Sequence, residues 1–406
     1  CGLTPKGLCA AVAALGAEDI FCEEDAAIHG LRSAAASESA RPQVHRRGSA
    51  AAAAAVGASR SPPEDMLGRG SGRPEDGTDM PNDPQFGEQW ALGGGAGATQ
   101  WGDAFRAGLL PGEPKQGKVV VAVLDTGVDI THPDLNGSLW RNAKEEQGAS
   151  GGDDDGNGYV DDVFGWDFVA GGEPHDLVGT GTQMAGIIAA RTNNSVGISG
   201  FSNDSVAVMP LRVIADDGSG FRSDAILALT YAMKQRAHVV HAAYFSWYPS
   251  RAELLVVEAL GANGSVVVAG SGDNSVDSDA RPVYPCAQPG VLCVASLDLD
   301  GHLSNFSGFG AETVGIAAPG SRVLSTSVNG TYANMSSTAM AMSHVSALLA
   351  ALMARSLNGC PDCDRPEALN FTKMIQDTGN SLQALEGKVS SGKSINASRA
   401  LGPLEE

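Results

Sequence analysis

The sequence predicts an α/β fold with three layers: a central, mostly parallel β-sheet flanked by helices. Three observations carry that prediction. Short β-branched runs recur along most of the chain, helical stretches lie between them, and the first run ends on the acidic turn Asp125-Thr-Gly127. Unbroken apolar runs are strands buried on both faces, and their alternation with helices is the pattern of parallel strands joined by crossovers. In such sheets reactive groups gather at the carboxyl ends of the strands, where Asp125 is expected to stand.

Taken in order, residues 1–30 open with one recognisable feature. Leu15 through Asp25 reads as an apolar strand closing on acids. Residues 31–80 are rich in Ala, Ser, Arg and Pro, include the alanine stretch from Ala50 to Ala55, and sustain no apolar period. They are expected to form a disordered linker. From Pro81 to about Pro403 strands and helices alternate. Strands are expected at Val119–Leu124, Val206–Val213, Val239–Tyr244, Ser265–Ala269 and Val291–Ala295, and helices at Ser223–Lys234, Ala252–Ala262 and Ala341–Ser356.

At 406 residues, with 43% hydrophobic residues, the chain can bury a substantial core. A net charge of −20 argues against nucleic acid and anionic membrane as partners, since both attract basic surfaces. No run of about 18 apolar residues suggests a membrane span. The first residue is Cys1, so the sequence reads as part of a longer or processed chain. Cys360 and Cys363 have the spacing of a redox or zinc pair, but no second pair follows, so a local loop disulfide is expected; Cys286 and Cys293 flank a turn and could also bridge. N-x-[ST] motifs begin at Asn136, Asn193, Asn203, Asn263, Asn305, Asn329, Asn334, Asn370 and Asn396. With the cysteines they point to the secretory route.

The ordered motifs of residues 81–403 resemble the subtilases, the subtilisin-like serine protease family, and especially their thermitase-like branch. Pro81-Asn-Asp-Pro-Gln-Phe86 with Gln89-Trp90 is similar to that branch's entry, and Val121-Ala-Val-Leu-Asp-Thr-Gly-Val128 with His132-Pro-Asp-Leu135 to the family's aspartate motif. Asp176-Leu-Val-Gly-Thr-Gly-Thr-Gln-Met-Ala-Gly186 sits where the family has its histidine motif, and Ser337-Thr-Ala-Met-Ala-Met-Ser-His-Val345 where it has its serine motif. Tyr284-Pro285, Asn305-Phe-Ser307, Ala318-Pro-Gly320 and Ser391-Gly-Lys-Ser-Ile-Asn-Ala397 keep the family order. Residues 15–25 also resemble the end of a subtilase propeptide, which would make residues 1–30 a propeptide remnant.

The resemblance implies a serine endopeptidase, and the residues argue against one. Acyl transfer needs a hydroxyl nucleophile, an imidazole to take its proton and a buried carboxylate to orient that imidazole. The carboxylate position keeps Asp125. The histidine position is Thr180, whose hydroxyl cannot act as a general base near neutrality, and the serine position is Ala339. Gly270-Ser-Gly-Asp273 places Asp273 where the family keeps an oxyanion-stabilising asparagine, so a negative group would face the developing charge. Val239-Val-His-Ala-Ala-Tyr-Phe245 replaces the substrate-lining strand, and Phe245 in a glycine position is expected to fill part of the pocket and keep a peptide from the cleaving pose. His175, His241, His344 and Ser337 are not expected to rescue the chemistry. The reading is a pseudoprotease with a binding or regulatory role toward a protein or peptide ligand or an active subtilase relative. The alternative is an active endopeptidase with relocated catalytic residues.

A phosphate-loop-like pattern and a dinucleotide-like one are explained by the same resemblance. Gly387-Lys-Val-Ser-Ser-Gly-Lys-Ser394 matches G-x-x-x-x-G-K-S but lacks an apolar strand before it and a domain after it, and Gly179-Thr-Gly181 belongs to the histidine-motif loop. Asp153-Asp-Asp-Gly-Asn-Gly-Tyr-Val-Asp-Asp162 sets oxygens at alternate positions with a glycine sixth, the spacing of a calcium loop, although Phe164 stands where a bidentate glutamate would be. Asp153, Asp155, Asn157 and Asp162 are candidate ligands of a structural calcium ion. The resemblance implies a second site at Asp83, Asp134 and Asn194.

Overall fold

The computed structural model describes residues 27–31, 80–360, 362–363, 365 and 368–402. Its centre is the strand β2 (Val119–Asp125), which pairs in parallel with β4 (Val206–Arg212) over seven residues and with β6 (Val239–Ala242) on its other side. The sheet continues through β8 (Val266–Gly270), β9 (Val291–Leu297) and β10 (Ile316–Pro319), and β3 (Trp166–Asp167) flanks β4. The short β13 (Asn380–Ser381) and β14 (Lys393–Ser394) close the far edge, giving nine strands among the described residues, of which only β13 runs antiparallel to its neighbour. The stretch 387–394 is thus an edge turn and strand, with no helix following its lysine and serine directly.

The two-residue period of a strand explains the two cores. In β2, Val119, Val121 and Val123 face one hydrophobic cluster while Ala122 and Leu124 face the other. The first face is covered by α3 (Thr180–Ala189) and α6 (Thr338–Gly359), the second by α4 (Arg222–Lys234) and α5 (Arg251–Ala262). Helix α6 is apolar on all sides, the signature of a helix packed around its whole circumference. By length and composition it would reach across a membrane, yet 89% of its apolar window is buried in the fold.

Two smaller sheets complete the frame. The hairpin of β11 (Val323–Ser327) and β12 (Thr331–Met335) lies against α3. The other has three antiparallel strands, with β1 (Ala27–Gly30) between β5 (Ser219–Phe221) and β7 (Tyr244–Phe245). Short helices α1 (Trp101–Arg106), α2 (Ala143–Gln147), α7 (Ala368–Asp377) and α8 (Ala397–Leu401) fill the periphery.

All five expected strands and all three expected helices form, within a few residues of their expected ends. Both local disulfides form, Cys286–Cys293 and Cys360–Cys363. The apolar strand expected at Leu15–Asp25, and most of the linker expected at 31–80, lie outside the described residues. One boundary is corrected. Leu31, assigned to the linker by its composition, is 1% exposed and continues β1 into the core, because its side chain has a socket there.

Candidate active centre and its groove

Asp125 ends β2 at the sheet's carboxyl edge, as expected, and is 1% exposed. Neither of its carboxylate oxygens has a hydrogen-bond partner of good geometry among the described residues. Burial pushes it up to about 8; the adjoining Thr126 and its N–H only partly oppose this, and Asp176 adds repulsion. The Thr126 hydroxyl donates elsewhere, to Asp176 at 2.9 Å. Asp176 is well satisfied, accepting also from the N–H groups of Val178, Gly179 and Thr182 and from the Thr182 hydroxyl. The loop that delivers α3 to the site is therefore fully braced, while the group at the site is not.

Thr180 is the first residue of α3 and Ala339 the second of α6, so both expected positions lie at helix starts. Ala339 is fully buried and offers only a methyl group. Ser337 does not take its place. It is the N-cap of α6, accepting from the Ala339 N–H at 3.0 Å and donating to Asp273 at 2.6 Å. Asp273 also accepts from the Thr338 N–H at 2.7 Å, so the acid occupies the helix N-terminus, where backbone donors and the helix dipole favour negative charge. Burial pushes Asp273 up to about 6 against the pull of those bonds. The Thr338 N–H is thereby spent on an internal anion.

The histidines are elsewhere. His175 sits on the loop before α3 and is half exposed, its Nε2 3.0 Å from Glu173. His241 Nδ1 lies 2.9 Å from Ser346 Oγ, a serine–histidine pair, but His241 is 0% exposed and burial pushes it down to about 3. His344 bonds the Met340 carbonyl inside α6, and burial pushes it down to about 4.

The expectation for Phe245 is overturned. The groove takes an extended strand: β1 pairs Ala27, Ile28 and His29 with Phe221, Gly220 and Ser219, and pairs His29 and Gly30 with Phe245 and Tyr244. The Phe245 ring lies against His29 and Trp247, at 5.5 and 5.7 Å between centroids, so it flanks the strand instead of filling a socket beneath it. Leu31 enters the core where Gly270 leaves room; a Cβ there would stand 2.7 Å from Leu31 Cδ1 and 2.8 Å from Thr338 Oγ1. No strand was expected at these residues. A signal was present in Ile28-His-Gly-Leu31, two aliphatics three apart around a glycine, but four residues set no period.

The first acidic loop brings oxygens of Glu145, Asp153 and Asp155 within 4.8 Å of one another. Glu145, on α2, was not legible because it lies outside the loop's spacing. Asn157 donates to Asp155 and Asp162, while Asp162 also accepts from Tyr231 and from Asn142. At the second site Asn194 donates to Asp134 at 2.8 Å, and Asp83 accepts from the N–H groups of Asn193 and Asn194. Burial pushes Asp83 and Asp134 up, and Asp134 raises Asp83 further. Both clusters offer hard oxygen donors with negative charge in excess, the chemistry that suits calcium.

Residues 116–376 match the model of the subtilase family. The chain is similar to thermitase of Thermoactinomyces vulgaris, 31% identical over 282 residues that span 69% of this chain and 88% of the relative. It is also similar to a thermophilic serine proteinase of Bacillus sp. (strain AK1), 34% identical over 59% of this chain and 53% of the relative, and to subtilisin-like protease 1 of Plasmodium falciparum, 30% identical over 63% and 39%. The chain thus spans about half of the second relative's length and less of the third's. With the parallel sheet, the buried central helix and the aspartate at the strand end, these matches establish that the chain belongs to the subtilase family.

Proposed function

We propose that this chain is a non-cleaving subtilase, a pseudoprotease that acts by binding. The observation that carries the reading is the buried Asp125 carboxylate, which has only the adjoining Thr126 beside it in poor geometry and no imidazole to orient among the described residues. Ala339 and Asp273 support it independently. In a protease of this kind, loss of the serine or histidine alone costs roughly 10⁶ in kcat, and loss of one oxyanion donor about 10²–10³. The buried pair of His241 and Ser346 offers no second centre, since neither side chain reaches solvent.

Calcium belongs to the same reading as a structural ion. Asp153, Asp155 and Glu145, with Asn157 and Asp162 beside them, would hold one ion, and Asp83, Asp134 and Asn194 another. When bound, the ion supplies positive charge that lets these carboxylates approach one another. The sequons and the two disulfides favour passage through the secretory route, and the partner would be a protein or peptide ligand or an active subtilase relative.

Labelling with a fluorophosphonate probe tests the reading, because only an activated serine reacts. No labelling is expected; labelling that disappears on denaturation overturns the proposal. Ala339→Ser alone is expected to leave peptide hydrolysis undetectable, since Thr180 and Asp273 remain.

A further inference from the structure

An N-linked oligosaccharide is bulky and hydrated, so a folded chain keeps one only on an asparagine that points outward and is not needed inside. The structure sorts the sequons by that requirement. Asn396 is 5% exposed and is used twice: its Oδ1 caps α8 by accepting from the Arg399 N–H at 2.9 Å, and its Nδ2 donates to Asn380 at 2.8 Å. Asn193 and Asn263 are exposed but tied. Asn193 accepts from the Asn82 N–H and Asn263 donates to the Ala259 carbonyl, each at 3.0 Å. Asn203 is half-buried. Asn136, Asn305, Asn329 and Asn334 are exposed, and none of their side chains is held by a hydrogen bond among the described residues.

Three of these four lie on elements that touch. Asn329 is in the tip of the β11–β12 hairpin at a φ of 60°, a left-handed conformation that asparagine tolerates in a turn. Asn334 is exposed on β12 itself. Asn136 ends the short turn Pro133–Leu135, and that turn packs on the hairpin. The His132 Nε2 lies 3.1 Å from the Thr331 carbonyl oxygen, the His132 and Tyr332 rings meet edge to face at 5.4 Å, and a Cβ on Gly330 would stand 3.4 Å from Pro133 Cδ. Two segments distant in sequence thus bring three free acceptor amides onto one stretch of surface.

We propose that this surface is glycosylated, with an N-linked oligosaccharide on each of Asn136, Asn329 and Asn334. The reaction joins the asparagine Nδ2 to the anomeric carbon of an oligosaccharide carried on a polyprenyl diphosphate. The bond from that carbon to the diphosphate breaks, the diphosphate leaves with the electron pair, and Nδ2 gives up one proton. The proposal rests on the secretory reading, since that route supplies the lipid-linked donor and the transferase. A surface so covered is closed to a protein interface, which limits where the partner can dock.

The test uses the full chain isolated from the cells that make it. Its peptides are mapped by mass after glycosidase release in heavy-oxygen water, which turns each occupied asparagine into a labelled aspartate. Label is expected at Asn136, Asn329 and Asn334, and none at Asn396. Asn136→Gln, Asn334→Gln and Thr331→Ala, made in the same cells, should each lose the mass of one oligosaccharide. Thr331→Ala serves at the tip because glutamine would be strained at the φ of 60° that Asn329 holds. A chain with Cys286–Cys293 and Cys360–Cys363 closed, yet no label at these three positions, overturns the glycosylated surface alone. Reduced cysteines with no label anywhere overturn the secretory reading with it. Label at Asn396 overturns the sorting of sequons by exposure.

Discussion

Burial raises both acids of the centre, Asp125 to about 8 and Asp273 to about 6, but they are compensated differently. Asp273 has the Ser337 hydroxyl and the Thr338 N–H; Asp125 has no well-placed donor among the described residues. A carboxyl whose pKa is higher in the folded chain than the ordinary 3.8 binds its proton more tightly when folded. Its favourable contribution is present below pH 4 and is lost as pH rises through the folded value. Asp125 therefore makes the fold less stable between pH 4 and pH 8. Asp125→Asn removes the charge while leaving a buried amide still in need of partners, so the gain at pH 8 should be about 2 kcal/mol, with little change at pH 4. Urea unfolding at the two pH values checks this; a variant whose stability falls as steeply with pH as the wild type's would show that Asp125 is not the group responsible.

At the scale of an element, α6 begins on a cap that ties it to a neighbouring loop. Ser337 closes the helix start through the Ala339 N–H and simultaneously donates to Asp273. Ser337→Ala should cost about 2 kcal/mol, the loss of a buried cap plus one bond to a buried acid, and the loss should be greater at pH 7 than at pH 5, where Asp273 is protonated. Equal losses at both values would separate the cap from the acid. The helix itself was legible in the sequence, as were β2, β4, β6, β8 and β9, because a fully buried element has to be apolar along its length. Motif order singled out Asp125, Thr180, Ala339 and Asp273, which lie at a strand end, at two helix starts and on a helix cap. The strand β1 was not, since Ala27–Gly30 is extended only because β5 and β7 flank it, and no local pattern records a neighbour two hundred residues away. Phe245 was misread for a related reason: the residue type gave its bulk, but only the strand's placement gave the direction in which that bulk lies.

Over the whole molecule, the two acidic clusters join segments far apart in the chain. Asp83 at the domain's entry accepts from the loop at Asn193 and Asn194, Asn194 reaches Asp134, and Asp134 also accepts from Tyr332 on β12, so four stretches meet in one place. Asp134 is 0% exposed and Asp83 4%; burial opposes the charge of both, and the field of Asp134 raises Asp83 further. With a net charge of −20, nothing in the overall balance offsets that cost. A calcium ion bound as proposed would, and by binding the folded chain in preference to the unfolded one it would stabilise by mass action, by about 2.7 kcal/mol at a hundred times its Kd. For a domain of this size that corresponds to roughly 5 °C in Tm. Chelation should lower Tm by about that amount, and restored calcium should recover it where magnesium does not, since the smaller ion demands a stricter octahedron than these amides and carboxylates supply. Asp83→Asn should remove about half of the calcium response, leaving the part that belongs to the loop at Asp153 and Asp155. Were chelation to leave Tm unchanged, no cation would be offsetting these acids, and the buried carboxyls of Asp83 and Asp134 would be relieved by protonation instead, so that stability would fall as rising pH ionises them.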